Sequence, residues 1–194
     1  MSLTTLDPRT ALVVVDLQQG ITATPTEPYP AREVVERSAR LADAFRAHDL
    51  PVVLVRVTFA PDGADAPPGR TSEGTRPGSR PEGWDRIVPE LNARESDILV
   101  TKRNWGAFHG TDLDVHLRRR GVTQVVITGI ATRFGVESTA RSAHEHGYHV
   151  TLAVDAMADR DADGHRASVR GIFPRLGETG TTDEVLALLR RTRD

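Results

Sequence analysis

The chain has 194 residues and a formal net charge of −2, with 25 basic residues (Lys and Arg) against 27 acidic ones. This length favours a single domain, residues 1–194, and the absence of cysteine excludes disulfides and thiolate metal sites. The balanced charge argues against nucleic acid and anionic membranes as partners, and no run approaches the roughly 18 apolar residues of a membrane span.

Short runs rich in apolar and β-branched residues recur along the chain. The first has the sequence ALVVVDL, and its continuous apolar character is typical of a strand buried on both faces. We therefore predict strands at residues 11–17, 51–58, 98–101, 124–128 and 149–154, with a weaker sixth strand near residues 175–178.

Helix signals occupy the segments between these runs. Residues 30–48 place apolar side chains at helical spacing after a proline, and Thr111 and Thr181 each precede an acidic residue three positions on, as in a capping box. We therefore predict helices at residues 30–48, 111–121, 136–147 and 181–191. This alternation predicts an α/β fold with a doubly wound, six-stranded parallel sheet and helices on both faces, a Rossmann-like three-layer arrangement.

The loop at residues 60–82 is rich in Pro, Gly, Arg and Asp and has no periodicity, which is typical of a functional or disordered segment. Arginines of this loop and its end are candidate ligands for a substrate carboxylate, with solvated side chains as the alternative; they are Arg70, Arg76, Arg80 and Arg86. Trp84, Trp105 and Phe108 are candidate pocket walls, although packing explains each of them as well.

Two charged residues follow predicted strands, where ligands bind in folds of this class. Asp16 ends the run VVVD, and Lys102 ends ILVTK. A carboxylate after a buried strand is partly desolvated, which raises its pKa and suits acid–base catalysis, whereas a nearby lysine lowers that pKa. Taken singly, Asp16 is equally well a turn cap and Lys102 a solvated lysine; taken together, they indicate a catalytic pair.

The segment TGIATRFGVESTARSA, residues 128–143, connects a predicted strand to a predicted helix. Main-chain N–H groups at such a helix start can bind an anion or stabilise an oxyanion, although an ordinary connection has the same sequence features. Arg133 and Phe134 lie inside this turn and are candidate substrate contacts.

Three blocks, VVVDLQ, TKRNWGAFHGTDLDVHLRRRG and VVITGIATRFGVESTARSAHEHGYHVTLAVDA, are similar to the isochorismatase-like superfamily, also called the cysteine hydrolases. The resemblance covers residues 11–156 and extends more loosely to residue 189. It implies a six-stranded parallel sheet and a catalytic triad of Asp, Lys and Cys, in which Asp16 and Lys102 match the first two members. It also implies a cis peptide between Ile130 and Ala131, which places both residues at the substrate.

The third member of that triad is missing, because Gly135 occupies the cysteine position of the family pattern GxATxxCVEST. Glycine has no side chain with which to attack a carbonyl, so thiol catalysis is excluded. The true isochorismatases of the family resemble this chain in having glycine there, and they cleave a vinyl ether by protonation and water attack.

These observations predict a metal-independent hydrolase of a small organic molecule, of the isochorismatase type. The alternatives are a non-catalytic small-molecule-binding member that has lost its nucleophile, and a structural or oligomerisation role without a ligand. The retention of both Asp16 and Lys102 favours the enzyme, because a bare scaffold needs neither charge.

We expect no cofactor and no metal. The nicotinamidase branch of the family has an Asp-x-His motif after the second strand, where this chain has Val57, Thr58 and Phe59. Residues 159–164 have the pattern D-x-D-x-D-G, which resembles the start of a calcium loop, but the twelfth position of that loop is Arg170 instead of the required Glu.

We expect a cytoplasmic location, since the first residues lack the basic start and apolar run of an export signal. The expected partner is a small-molecule substrate. The family resemblance further implies a homo-oligomer, either a dimer or a tetramer.

Overall fold

The computed structural model describes residues 3–67, 69–72 and 80–193. Its strands are β1 (Thr10–Val15), β2 (Val52–Val57), β3 (Ile98–Lys102), β4 (Gln124–Ile130), β5 (His149–Ala158) and β6 (Glu178–Gly180). They form one parallel sheet in the order β3-β2-β1-β4-β5-β6. The predicted six-stranded parallel sheet is therefore confirmed.

Seven α-helices flank or connect these strands: α1 (Gln19–Thr22), α2 (Ala31–Ala47), α3 (Leu113–Arg119), α4 (Glu137–Glu145), α5 (Ala162–Ala167), α6 (Phe173–Leu176) and α7 (Thr182–Arg193). A 3-10 turn at Pro89–Leu91 and π-helical turns at Thr132–Val136 and Ser168–Ile172 complete the helical elements of the described ranges. None of the helices within those ranges is long and apolar enough to cross a bilayer.

The core consists of two apolar layers, one on each face of the sheet. Every side chain of β1 is buried, and successive residues point to opposite faces: Leu12 contributes to the layer under α2 and α7, whereas Val13 contributes to the layer under α3, α4 and α6. This two-sided burial explains why the strand sequence is apolar throughout.

Helix α2 shows how the sequence periodicity selects a face. Val34, Leu41 and Phe45 are fully buried and lie on one side of the helix, because their spacings of seven and four residues correspond to about two turns and one turn. On the opposite layer, the small residues Ala140 and Ala143 let α4 pack directly on the sheet.

Two predicted strand boundaries move by three or four residues, and the others move by two or fewer. Strand β5 continues to Ala158 instead of ending at residue 154, since its far end pairs again with β4 after a register shift between Ile127 and Gly129. The sixth strand begins at Glu178, a few residues later than predicted, because the preceding residues belong to α6.

The order in which successive strands are added to the sheet reverses between β1 and β4. From β1 the chain adds β2 and β3 on one side, and then it adds β4, β5 and β6 on the other. Ligands in sheets of this type bind at the carboxyl ends of the strands near that point. Asp16 follows β1, Lys102 ends β3 and Ile130 ends β4, so all three lie at this edge.

Candidate active site

Asp16 lies where the chain leaves β1. Its main-chain N–H donates to the carbonyl of Val55 at 2.9 Å, which keeps the residue in the sheet, and its φ of 54° then turns the chain out of the strand. This left-handed conformation is uncommon outside glycine and is best tolerated by Asn and Asp. The residue is 4% exposed, so the fold places an ionisable group in a nearly dry position.

Lys102 and Asp16 form a buried ion pair. Nζ of Lys102 lies 2.7 Å from Oδ2 of Asp16, and it also donates to the carbonyl of Asn104 at 3.0 Å. Strand β2 lies between β1 and β3, so the lysine side chain reaches across the end of that strand. The structure therefore brings together the two charged residues that the sequence singled out.

Burial dominates the ionisation of Asp16. Desolvation raises the pKa of its carboxyl to about 6, and the charge and hydrogen bond of Lys102 offset only part of this effect. Oδ1 is buried and accepts no hydrogen bond from any residue that the structure describes. The carboxyl therefore exchanges its proton at a mildly acidic pH, well above the ordinary range of an aspartate.

Gly135 faces this carboxyl from the π-helical turn between β4 and α4. A Cβ at residue 135 would lie 3.1 Å from Oδ2 of Asp16 and 3.1 Å from Cγ1 of Val15, with the carbonyl oxygen of Trp105 at 3.4 Å. The first two distances are tighter than most real Cβ contacts. Any side chain at this position would therefore contact Asp16 directly.

Thr139 fastens this turn to the loop that follows Lys102. Its hydroxyl donates to the carbonyl of Gly135 at 2.6 Å and accepts from the N–H of Ala107 at 3.0 Å. Thr139 is fully buried, so these bonds are shielded from water. Sequence reasoning missed this residue, because a threonine in the first turns of a helix carries no signal for a contact between two distant loops.

The peptide between Ile130 and Ala131 is cis, as the family resemblance implies. The Ile130 side chain is buried in the core layer beneath α2, and Ala131 packs against the same layer. The structure therefore places both side chains in or against this core layer.

Arg133 and Phe134 lie at the surface of the turn. The Arg133 guanidinium is ion-paired with both Asp159 and Asp161, so its charge is already balanced. The Phe134 ring meets the Trp105 ring edge-on at a centroid distance of 5.0 Å, and Trp105 is 63% exposed. These two aromatic side chains form a wall beside Gly135.

The other two predicted aromatic contacts lie in different surroundings. Phe108 is buried and stacks on His146 and near Tyr148, in the core layer on the α4 side. Trp84 covers Gly20, where a Cβ would overlap its ring, and its carbonyl accepts from the Gly20 N–H at 2.9 Å. Packing accounts for the position of both rings.

Three of the four loop arginines, Arg70, Arg80 and Arg86, lie in the described residues, and all three are exposed. Arg80 stacks over the Trp84 ring at 4.8 Å, and Arg86 pairs with Glu82 at the surface. Arg76 lies outside the described residues.

Across residues 3–67, 69–72 and 80–193, no three His, Asp or Glu side chains converge on a point that could hold a metal ion. The aspartates of the predicted calcium-like pattern have other partners. Asp161 caps α5 by accepting from the Gly164 N–H at 2.6 Å, and Asp159 binds the N–H of Arg133 at 2.7 Å.

Comparisons with known proteins place this chain in a family. The Isochorismatase domain model matches residues 10–184. The chain belongs to the isochorismatase family. It is 46% identical over 180 residues to the uncharacterized isochorismatase family protein YwoC of Bacillus subtilis, covering 92% of this chain and 93% of that protein.

A second relative has a named activity. The ureidoacrylate amidohydrolase RutB of Methylobacterium radiotolerans is 32% identical over 197 residues, covering 86% of this chain and 74% of the relative. Among solved structures, an isochorismatase family protein from Burkholderia thailandensis superposes with a TM-score of 0.94 at 46% identity, covering 97% of this chain and all of that one. The fold and the hydrolase family are thus shown together.

Proposed function

We propose that this chain hydrolyses a small organic molecule by an acid-assisted, isochorismatase-type reaction that uses neither a thiol nor a metal. The observation that carries the proposal is the pairing of Gly135 with Asp16 in a chain without cysteine. Because residue 135 supplies no nucleophile, the group beside it that can move a proton is the Asp16 carboxyl. Its pKa of about 6 suits that role.

In the proposed reaction, the protonated Asp16 donates its proton to the unsaturated carbon of a vinyl ether. The adjacent carbon becomes an oxocarbenium ion, water adds to it, and a proton of that water returns to the Asp16 carboxylate. The hydroxyl proton of the resulting hemiketal then passes to the departing oxygen as the C–O bond breaks. The products are a ketone and an alcohol, and no covalent enzyme intermediate forms.

Lys102 orients the acid in this scheme. An ammonium group donates hydrogen bonds and accepts none, so the oxygen that it binds, Oδ2, stays unprotonated. The proton of the neutral carboxyl is therefore carried on Oδ1. Once the proton has left, the positive charge of Lys102 stabilises the carboxylate.

The main chain at Ala131 and Gly135 and the aromatic wall of Phe134 and Trp105 would line the substrate pocket. In this proposal Arg133 contacts substrate at the rim, and Trp84 closes the side formed by the segment after β1. Ile130 and Phe108 support these groups from the core. A homo-oligomer, dimer or tetramer, remains part of the proposal, and light scattering of the purified chain tests it.

The direct test is a screen of purified protein against vinyl ethers, amides and esters, with products identified by mass spectrometry and NMR. Amides belong in the panel because of the activity in the amidohydrolase relative's name. The matched control is Asp97→Asn. Like Asp16, Asp97 has a buried side chain with a basic partner, here Arg46 at 2.6 Å, but it lies at the start of β3, at the opposite edge of the sheet.

We expect vinyl ether hydrolysis by the wild-type protein and by Asp97→Asn, and its loss in Asp16→Asn. Turnover that survives Asp16→Asn would contradict the assignment of the acid. Ligand binding without turnover of any class would favour the non-catalytic alternative instead.

A further inference from the structure

The turn that carries Gly135 is bound by residues that follow β5. Asp159 is fully buried, and its carboxylate accepts from the main-chain N–H groups of Arg133 and Arg160, each at 2.7 Å. The Arg133 Nε lies 3.2 Å from the same carboxylate. One buried carboxylate thus binds both the main chain and the side chain of a turn residue.

A second tie holds the same turn one residue earlier. The Thr132 hydroxyl lies 2.9 Å from Nδ1 of His165, and both residues are buried. His165 belongs to α5, and the charges of Asp159 and Arg166 and the ring of Tyr29 also lie near it. The turn is therefore attached to two elements, the end of β5 and α5.

The first attachment point is itself fixed, and the second packs closely against Arg133. The main chain of Asp159 forms a two-way bridge with Glu27, with N–O distances of 2.7 and 2.9 Å. On α5, the absence of a side chain at Gly164 lets the Arg133 guanidinium lie against the helix, since a Cβ there would sit 2.8 Å from its Cζ.

Small displacements of this turn would change the space beside the Asp16 carboxyl. The Cβ direction of Gly135 points at Oδ2 of Asp16 from 3.1 Å, so a shift of a few tenths of an ångström changes what fits beside the carboxyl. Neither Asp159 nor His165 forms a hydrogen bond with Asp16 or Lys102 within the described residues. Their effect on the site passes through Arg133 and Thr132.

We propose that Asp159 and His165 are positioning residues that fix the turn 131–135, and with it Gly135, against the Asp16 carboxyl. The importance of this placement for catalysis rests on the proposed function. The placement itself can be measured without a substrate.

The absence of cysteine makes that measurement possible, because Gly135→Cys introduces the only thiol of the chain. The rate at which iodoacetamide alkylates this thiol, followed from pH 6 to 10 by mass spectrometry, depends on its exposure and on its pKa, and so on its distance from Asp16 and Lys102. All variants below are made in this Gly135→Cys background of the full chain.

Asp159→Asn keeps the shape of the side chain but removes its charge and turns one acceptor into a donor. Thr132→Val removes only the hydroxyl that meets His165, and it serves if the Asn variant does not fold. Asp97→Asn is the control, since Asp97 also accepts from a main-chain N–H, that of Arg94 at 2.8 Å, and pairs with an arginine.

We expect Asp159→Asn to raise the alkylation rate by about tenfold or to shift its pH profile. Losing a buried hydrogen bond to a charged group eases local opening of the turn by roughly that factor. Thr132→Val should give a smaller change in the same direction. Asp97→Asn should lower the melting temperature without altering the profile. If both turn variants match the control after correction for stability, the positioning role is wrong, whatever the outcome of the substrate screen.

Discussion

Lys102 binds one carboxyl oxygen of Asp16, and no residue that the structure describes binds the other. Nζ lies 2.7 Å from Oδ2, while Oδ1 is buried and accepts no hydrogen bond within the described part of the chain. An unsatisfied buried acceptor is costly when the group is ionised, and protonation relieves that cost. The ion pair therefore coexists with a raised pKa, because Lys102 satisfies only half of the carboxylate.

The first prediction is that Asp16→Asn abolishes hydrolysis. Asparagine keeps the shape of the side chain and an oxygen for Lys102, but it cannot transfer a proton, and loss of general acid–base catalysis typically costs roughly 10²–10⁴-fold in rate. Steady-state kinetics with the substrate found in the screen measure this loss. Circular dichroism and a melting curve must show that the variant is folded, and a loss below tenfold would reject Asp16 as the acid.

The second prediction concerns the pH dependence of the rate. If Asp16 acts as an acid, its protonated form is the active one, so kcat/KM should be constant below the pKa of about 6 and fall about tenfold per pH unit above it. A profile that rises through pH 6 instead would assign Asp16 as a base. Product formation in overlapping buffers at constant ionic strength gives this profile.

The third prediction links the same ionisation to stability. The pKa of Asp16 is higher in the folded chain, about 6, than its ordinary value of 3.8, so the folded state binds more protons between these values. Its contribution to the free energy of unfolding is therefore complete below about pH 4 and is lost as pH rises through about 6, by at most about 1.4 kcal/mol per pH unit. Urea titrations at a series of pH values give the free energy of unfolding of the wild-type protein and of Asp16→Asn. The two plots of this free energy against pH should differ in slope between pH 4 and pH 6, and parallel plots would contradict the raised pKa.

The sequence was sufficient for the sheet and for the Asp16–Lys102 pair, because both follow from strand ends in a buried parallel sheet. It was not sufficient for the tie between Thr132 and His165, since their contact depends on where α5 lies relative to β4. Phe108 gives a second example of this limit. It follows Lys102 closely in the sequence and was a candidate pocket wall, but its ring packs near Tyr148, because the direction of a side chain depends on tertiary packing.

The fourth prediction is that hydrolysis does not require a metal. The proposed acid has Lys102 as its charged partner, and the chemistry needs a proton and water only. Dialysis against a chelator should leave kcat and KM unchanged within about twofold, a tolerance well below the effect of losing a catalytic metal. Loss of activity that zinc or magnesium restores would overturn this prediction; a parallel melting curve shows whether the chelator acts on the fold instead.

The last prediction concerns Gly135→Cys and distinguishes an acid-type hydrolase from a thiol hydrolase that has lost its nucleophile. If the chain is an acid-type hydrolase, the Cβ of the added cysteine lies within about 3 Å of Asp16 Oδ2 and its thiol crowds the carboxyl that must reach the substrate, so vinyl ether hydrolysis should fall. If the chain is instead a thiol hydrolase that has lost its nucleophile, Asp16 and Lys102 are already placed to activate the new thiolate, and amide or ester hydrolysis should appear. Gly135→Ala is the matched control, since it adds the Cβ without the thiol and so isolates the steric effect. An inactive wild-type protein combined with an amidase-active Gly135→Cys variant would reject the proposed function in favour of the binding protein.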